Sequence, residues 1–510
     1  MFRFMLLLLC AAALALPANL RAEPQDIAAA ARGVVRVVVI GSDGEQIFPI
    51  SHGTGFAVSP TRIVTNAHVV SEALADDSLR IGVVTSEGDD AVYAKTVAVS
   101  RRNDLALIEL TGDLRLPPLT IAGGVPADSG EVTAVGYPMN VDRAQGLQIG
   151  DIFRSQPPVT ARGFLSGARP SREFDTILHT APIARGNSGG PLLDACGRVL
   201  GVNSFGADSG GSDAEFFFAV STRELLPFLR ENNVDLRVNA LPCRSMAELD
   251  ASEQDRQERL RAAQRAEQET RARTQRERRE RIGLEAEQSV LEDRENAIAL
   301  AFLLVLGGWS AASYAVYCKR RGREDKRIYI ASGIAGAAFL AALVAWFSRP
   351  GLGEIDKRIA QALTQGQNED DVAQMTSEGM QKLVCTLDVA RSRVTSAETD
   401  DITLEWSEDG CVNGRTQYGL AGGTWSRVFV PNGEAAVSVN RFDPDTLTFR
   451  TDRYLLNRAQ MSEARAQRRS YTPPKCKTEN AASLLGEMQS SVTGKLPERA
   501  NERLVYQCSP

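Results

Sequence analysis

The chain has 510 residues and a net charge of −6, from 58 Lys and Arg against 64 Asp and Glu. That length exceeds what one hydrophobic core sustains, so two or three domains are expected. A balance this close to neutral argues against a nucleic-acid binder held by bulk charge. The absence of a CxxC or Cys/His cluster argues against zinc, and no other metal or cofactor is expected.

Residues 1–22 read as a signal peptide. Arg3 gives a short basic start, Met5–Leu16 is apolar, and Ala22 ends a small-residue cleavage site before Glu23. The apolar core falls short of the roughly 20 residues a membrane span requires, with an uncleaved anchor as the alternative. Either way, the following chain begins outside the cytoplasm.

Residues 30–235 carry short Val-, Ile-, Leu- and Phe-rich runs between Gly, Asp, Ser and Pro clusters. Strands are expected at Val34–Ile40, Gly55–Val58, Arg62–Thr65, Leu79–Val84, Leu105–Leu110, Glu131–Val135, Val199–Ser204 and Glu215–Val220. Many strands with short turns predict an all-β barrel or sandwich over 23–240, closed by a helix at Thr222–Glu231.

Residues 245–296 then shift to Arg, Glu, Gln and Ala. Asp255 and Arg259, Glu267 and Arg271, Glu269 and Arg273, and Glu277 and Arg281 are spaced i, i+4 with the acid first. Only alanines interrupt the polar residues between Arg261 and Arg281, so the segment predicts a solvated helical stalk, with a weak coiled coil as the lesser alternative. Two charge-free apolar segments follow, at 297–318 and 328–347, each long enough to span a bilayer. The loop 319–327 between them holds six Lys and Arg in nine residues, and the positive-inside rule places it in the cytoplasm. A helical hairpin buried in a soluble protein is the alternative. Counting crossings puts residues 350–510 on the same exported side as the β-rich domain. Glu354–Leu383 is helix-like, and Asp401–Trp406, Trp425–Val430, Ala435–Val439 and Thr446–Thr451 read as strands of a small α+β module. Cys10 lies in the signal peptide and Cys318 ends an apolar segment, which leaves an even six cysteines in exported parts. Cys196 is expected to pair with Cys243, while Cys385, Cys411, Cys476 and Cys508 leave three connectivities open.

The chemistry concentrates in Gly186-Asn187-Ser188-Gly189-Gly190-Pro191-Leu192. A serine hydroxyl is a poor nucleophile without a base, and glycines around it let backbone amides converge on a developing oxyanion. Of the three histidines, His68 lies in Thr65-Asn66-Ala67-His68-Val69-Val70, after an expected strand, whereas His52 and His179 lack such a context. Asp104 lies in Asn103-Asp104-Leu105-Ala106-Leu107-Ile108, just before an apolar strand. The order His, Asp, Ser is the chymotrypsin one.

These three strings resemble the trypsin-like superfamily, and within it the bacterial HtrA-type branch, over roughly residues 30–235. The resemblance implies a double β-barrel with its site in the cleft between barrels, and serine endopeptidase activity. Ser188 would be the nucleophile, His68 the general base and acid, and Asp104 the residue that orients the imidazole and stabilises its charged form; the Gly186 and Ser188 amides would form the oxyanion hole. Val202-Asn203-Ser204-Phe205-Gly206 is similar to the family segment that pairs with an extended substrate, with Ser204 supporting Asp104. Pro182, six residues before Ser188, offers no acid to select Arg or Lys, and an inward Phe217 would shorten the S1 pocket towards small or medium aliphatic P1 residues. No PDZ-like segment follows residue 240, and no Arg-Ile-Val-Gly-Gly string suggests zymogen activation. The sequence therefore predicts a multidomain, inner-membrane serine endopeptidase of a bacterial envelope, with both folded parts in the periplasm. Its partners would be protein or peptide substrates and the membrane, with homo-oligomers left open. The alternative is a catalytically silent or latent protease fold used for binding or signalling; a non-peptide esterase would need the same triad.

Overall fold

A computed structural model describes residues 24–88, 91–124, 130–170, 174–206, 216–322, 325–351, 353–367 and 381–510. The expected signal peptide and Glu215 lie outside them. The chain forms two compact units, residues 1–254 with 379–510, and residues 255–378.

In the first unit, β1 (Val34–Ser42), β2 (Ile47–Ala57), β3 (Arg62–Thr65), β4 (Arg80–Val84), β5 (Ala91–Ser100) and β6 (Leu105–Leu110) close an antiparallel barrel in the order β1-β2-β3-β6-β5-β4. β1 is buried along eight of its nine residues, as its continuous apolar run demands. Strand β5 is mostly apolar, yet none of its residues is fully buried; it pairs with β4 on one side and β6 on the other and so closes the barrel.

A second group follows: β7 (Ile121–Ala122), β8 (Glu131–Gly136), β9 (Val159–Pro170), β10 (Asp175–His179), β11 (Pro191–Leu193), β12 (Val199–Gly206), β13 (Phe217–Ser221) and β14 (Val238–Asn239). The order β11-β8-β9-β10-β13-β12 closes on itself through β11–β12, while β7 and β14 continue beyond β12. One core cluster draws Val34, Phe56 and Leu107 from the first barrel and Val135, Leu193 and Val202 from the second, so the two barrels share a seam. The helix Thr222–Glu231 covers it with Leu225, Phe228 and Leu229, and Ser221 caps its start by accepting from Arg223 N.

Residues 381–510 build a nine-stranded antiparallel sheet from β15 (Gln381–Leu387), β16 (Ile402–Trp406), β17 (Cys411–Val412), β18 (Thr416–Gln417), β19 (Gly419–Ala421), β20 (Thr424–Phe429), β21 (Ala436–Asp443), β22 (Thr448–Leu455) and β23 (Glu502–Ser509). The helices Arg458–Arg469 and Ala481–Thr493 pack on it, giving the α+β character expected. The expected helix Glu354–Leu383 is corrected: the helix is Glu354–Gln367, and Gln381–Leu383 open strand β15, where Leu383 is fully buried. Disulfides join Cys196 to Cys243, Cys385 to Cys508 and Cys411 to Cys476.

The module is fastened to the barrels by polar side chains. Arg393, 1% exposed, donates to Asp26 and to the carbonyls of Asn501 and Arg244. Asn501 also donates to Asp26 (3.0 Å), and Asn239 donates to the Val394 carbonyl (2.6 Å). Arg391 with Glu253 (3.2 Å) and Arg503 with Asp250 (2.5 Å) tie in the start of the next helix. That helix, Met246–Arg320, runs unbroken for 75 residues, so stalk and first apolar segment are one element; Met246 and Leu249 are buried rather than solvated. Of the expected i, i+4 pairs, Glu267 and Arg271 meet at 2.5 Å. By length and composition, this helix and the one ending at Phe347 could each cross a membrane.

Candidate active site

Strand β3 ends in Thr65, and the chain turns through Asn66 and Ala67 into a short 3-10 turn, His68–Val70, which presents the His68 side chain half exposed. Asp104 precedes β6 in the left-handed region (φ 49°), a conformation Asp tolerates better than most residues. Buried Asn66 holds the Asp104 carbonyl (2.8 Å). The carboxylate receives the His68 backbone amide (3.1 Å) and lies 3.0 and 2.9 Å from His68 Nδ1. Ser204 Oγ donates to Oδ2 of the same carboxylate at 2.6 Å. Burial opposes the Asp104 charge, but the His68 hydrogen bond and charge and the Ser204 hydroxyl outweigh it and hold the carboxyl below the usual range. The Asp104 contact occupies Nδ1 and leaves Nε2 as the nitrogen for proton transfer.

Ser204 reaches Asp104 because β12 bulges: Asn203 pairs with Ala219 and Phe205 with Phe218, so Ser204 has no partner in register. Its carbonyl accepts from Ser188 Oγ at 3.0 Å. The nucleophile candidate thus sits beside the residue that clamps Asp104, yet among the described residues no hydrogen bond joins it to His68.

The loop before Ser188 is fixed from behind. Thr54 Oγ1 donates to the Gly186 carbonyl (2.6 Å), accepts from Tyr137 N (3.0 Å), and Met139 N donates to the Arg185 carbonyl (2.8 Å). Gly190 N donates to the Asn187 carbonyl (3.0 Å). In a trans peptide the N–H opposes the C=O, so anchoring the Arg185 and Asn187 carbonyls aims the Gly186 and Ser188 amides the other way. Neither amide donates to a protein acceptor among the described residues. Gly186 needs to be glycine: its φ is +101°, and a methyl there would lie 2.2 Å from the Tyr137 carbonyl. The bracing roles of Thr54, Asn66, Tyr137 and Met139 are carried by no sequence motif. Only the Gly53-Thr54-Gly55 string hinted at Thr54, since those glycines admit Val69 and Ile63 side chains close to the strand.

Phe205 is 44% exposed and stacks on Phe218 at 4.9 Å, while Gly206 pairs with Phe217. Phe217 points inward, 7% exposed, with its ring against Gly206 and 6.0 Å from buried His179. Burial holds the His179 imidazole down at about 4, so it is neutral at pH 7. Among the described residues, no cluster of His, Cys, Asp and Glu could hold a metal.

Residues 53–202 match the family described as trypsin-like peptidase domain. The chain is 32% identical over 198 residues to serine protease Rv3671c of Mycobacterium tuberculosis, covering 37% of this chain and 44% of that protein. It is 33% identical over 204 residues to mitochondrial serine protease HTRA2 of Bos taurus, covering 39% and 40%. A crystal structure of the active form of the Rv3671c protease is 26% identical, with a TM-score of 0.32, and covers 43% of this chain and 91% of that one. The matched region is similar to the trypsin-like peptidase domains of these HtrA-type serine proteases. The chain spans under half the length of these curated relatives.

Proposed function

We propose that this protein is a membrane-anchored serine endopeptidase acting in the bacterial periplasm, in envelope quality control or regulated proteolysis. The observation that carries this is the Ser204 bridge: one residue's hydroxyl braces Asp104 against His68 while its carbonyl holds Ser188 Oγ. When substrate enters, Ser188 Oγ turns from the Ser204 carbonyl to His68 Nε2 and attacks the scissile carbonyl. His68 takes the proton and returns it to the leaving amine, Asp104 stabilises the imidazolium, and the Gly186 and Ser188 amides receive the oxyanion. Water then repeats the sequence on the acyl-enzyme. Residues Ser204–Gly206 pair with the extended substrate, and Phe217 restricts P1 to small or medium aliphatic side chains. Two apolar helices around the basic loop 319–327, with three disulfides in the folded parts, support an inner-membrane anchor with residues 23–240 and 350–510 on the periplasmic side.

The resting hydrogen bond from Ser188 to Ser204 favours a second reading, a latent site awaiting a ligand. A fluorophosphonate probe separates the two. An active enzyme labels at Ser188 without additives and digests casein, and Ser188→Ala loses both. Labelling that requires an added peptide supports latency, and none under any condition refutes the protease.

A further inference from the structure

Behind the Gly186 loop lies a buried charged cluster that the triad chemistry does not use. Arg36 on β1, 1% exposed, grips both oxygens of Asp142 at 3.1 Å, donates to the Ile152 carbonyl (3.2 Å) and lies 4.7 Å over the Tyr137 ring. Asp142 belongs to the helix Met139–Ala144, and that helix begins at the amide that holds the Arg185 carbonyl. From β2, the His52 side chain, 6% exposed, brings Nε2 to 3.5 Å from Asp142 Oδ2. This is an ion-pair distance; Nε2 makes no hydrogen bond among the described residues. A methyl on Gly186 would lie 3.3 Å from that same nitrogen, so the ring abuts the loop whose amide is assigned to the oxyanion.

We propose that Arg36, Asp142 and His52 are positioning residues for the Gly186 amide: through Asp142 they seat the helix that holds the Arg185 carbonyl, and His52 makes that seating sensitive to acid. The proposal rests on the protease reading above. With His52 neutral, one guanidinium balances one carboxylate, and the buried cluster carries no net charge. Burial first, then the Arg36 charge, hold the His52 imidazole below its ordinary value, against Asp142 and the Tyr137 carbonyl. Acid adds a second cation that competes with Arg36 for one carboxylate. The helix loses part of its anchor, and the Gly186 peptide loses the fixed plane that aims its N–H. Titratable or charged groups on the elements packed against β2 are Arg36 on β1, Arg62 on β3, Glu131 on β8 and Tyr137 after it, Asp142 and Arg143 on the helix, Asp151 on the Ile149–Phe153 turn, His68 on its 3-10 turn, and Glu72, which accepts from Ser51 Oγ (2.7 Å). Arg36, Tyr137 and Asp142 act on the His52 ring, whereas Arg62 pairs with Glu109, and Asp151 with Arg154 and the Gln148 amide.

The test uses full-length protein in detergent, a chromogenic peptide and the fluorophosphonate probe across pH. Asp142→Asn should lower kcat about 10- to 100-fold with KM changed less than about twofold, short of the roughly 10²- to 10³-fold cost of removing an oxyanion donor because the amide is misaimed rather than lost. An unchanged kcat, or a KM rise that accounts for the loss, overturns the proposal. His52→Asn should make the acid limb of log(kcat/KM) shallower, because protonation of His52 no longer adds to the acid loss. Superimposable limbs overturn it, and this variant decides alone if Asp142→Asn fails to fold. A wild type that never labels removes the protease reading together with this inference; a wild type that labels while His52→Asn leaves the limb unchanged removes only the inference.

Discussion

At the scale of single residues, the site depends on carbonyls held from behind as much as on the three side chains in front. Thr54 is the simplest probe, because its hydroxyl bonds both the Gly186 carbonyl and the Tyr137 amide and lies in the first barrel, across the seam from Ser188. Thr54→Val keeps the shape and removes both bonds. We expect kcat to fall about 10-fold or more, since one lost hydrogen bond of about 1–1.5 kcal/mol in the transition state gives that factor. Unaltered turnover in a folded Thr54→Val protein would show that the loop needs no such brace. Ser204→Ala removes the hydroxyl from a charged acceptor, Asp104, and should cost at least as much, with the loss in kcat and not in KM.

At the scale of elements, the proposed substrate contacts fall on the paired strands β12 and β13. Phe217→Ala empties the space between Gly206 and His179, so the P1 preference in a peptide library should move from aliphatic residues towards Phe and Tyr; an unshifted profile would place the S1 wall elsewhere. Strand β10 adds a pH effect. His179 has a folded-state value near 4, below the unfolded value of about 6.5, so the unfolded chain takes up the proton first. Its contribution is therefore complete above about pH 6.5 and lost as pH falls towards 4, by roughly 3 kcal/mol at the acid end. The melting temperature of wild type should fall relative to that of His179→Leu as pH drops between those values; a constant difference would contradict the assignment. Legibility also varied by element. Strands β1, β3 and β6 were evident because their apolar runs are buried on both faces, and the His68, Asp104 and Ser188 strings stand beside them. β5 and β9 hid behind exposed or small residues, and β12 showed its run without its bulge. The brace on Gly186 joins residues 132 apart, a separation that no local pattern encodes.

At the scale of the whole molecule, the C-terminal module shares a compact unit with the barrels, whereas the sequence suggested only a separate exported region. Arg393 inserts from the module, and its ion pair with Asp26 is buried on both sides, 1% and 2% exposed. Removing one partner of such a pair leaves an uncompensated charge and costs about 3–5 kcal/mol. Arg393→Ala should thus lower the unfolding midpoint of the barrels as well as of the module, in one transition. Deleting 350–510 should destabilise the peptidase rather than release it from inhibition. Two separate transitions in Arg393→Ala, or higher activity on truncation, would make the module an independent or inhibitory domain. The helix Met246–Arg320 runs without a break into an apolar stretch long enough to cross a membrane.

The central claim is that Ser188 is a nucleophile served by His68 and Asp104. Mass-spectrometric mapping of fluorophosphonate-labelled full-length protein tests it most directly. A single adduct on Ser188 is expected, lost in His68→Ala and strongly slowed in Asp104→Asn. Labelling at another serine, or equal labelling of Ser188 when His68 is replaced, would contradict it.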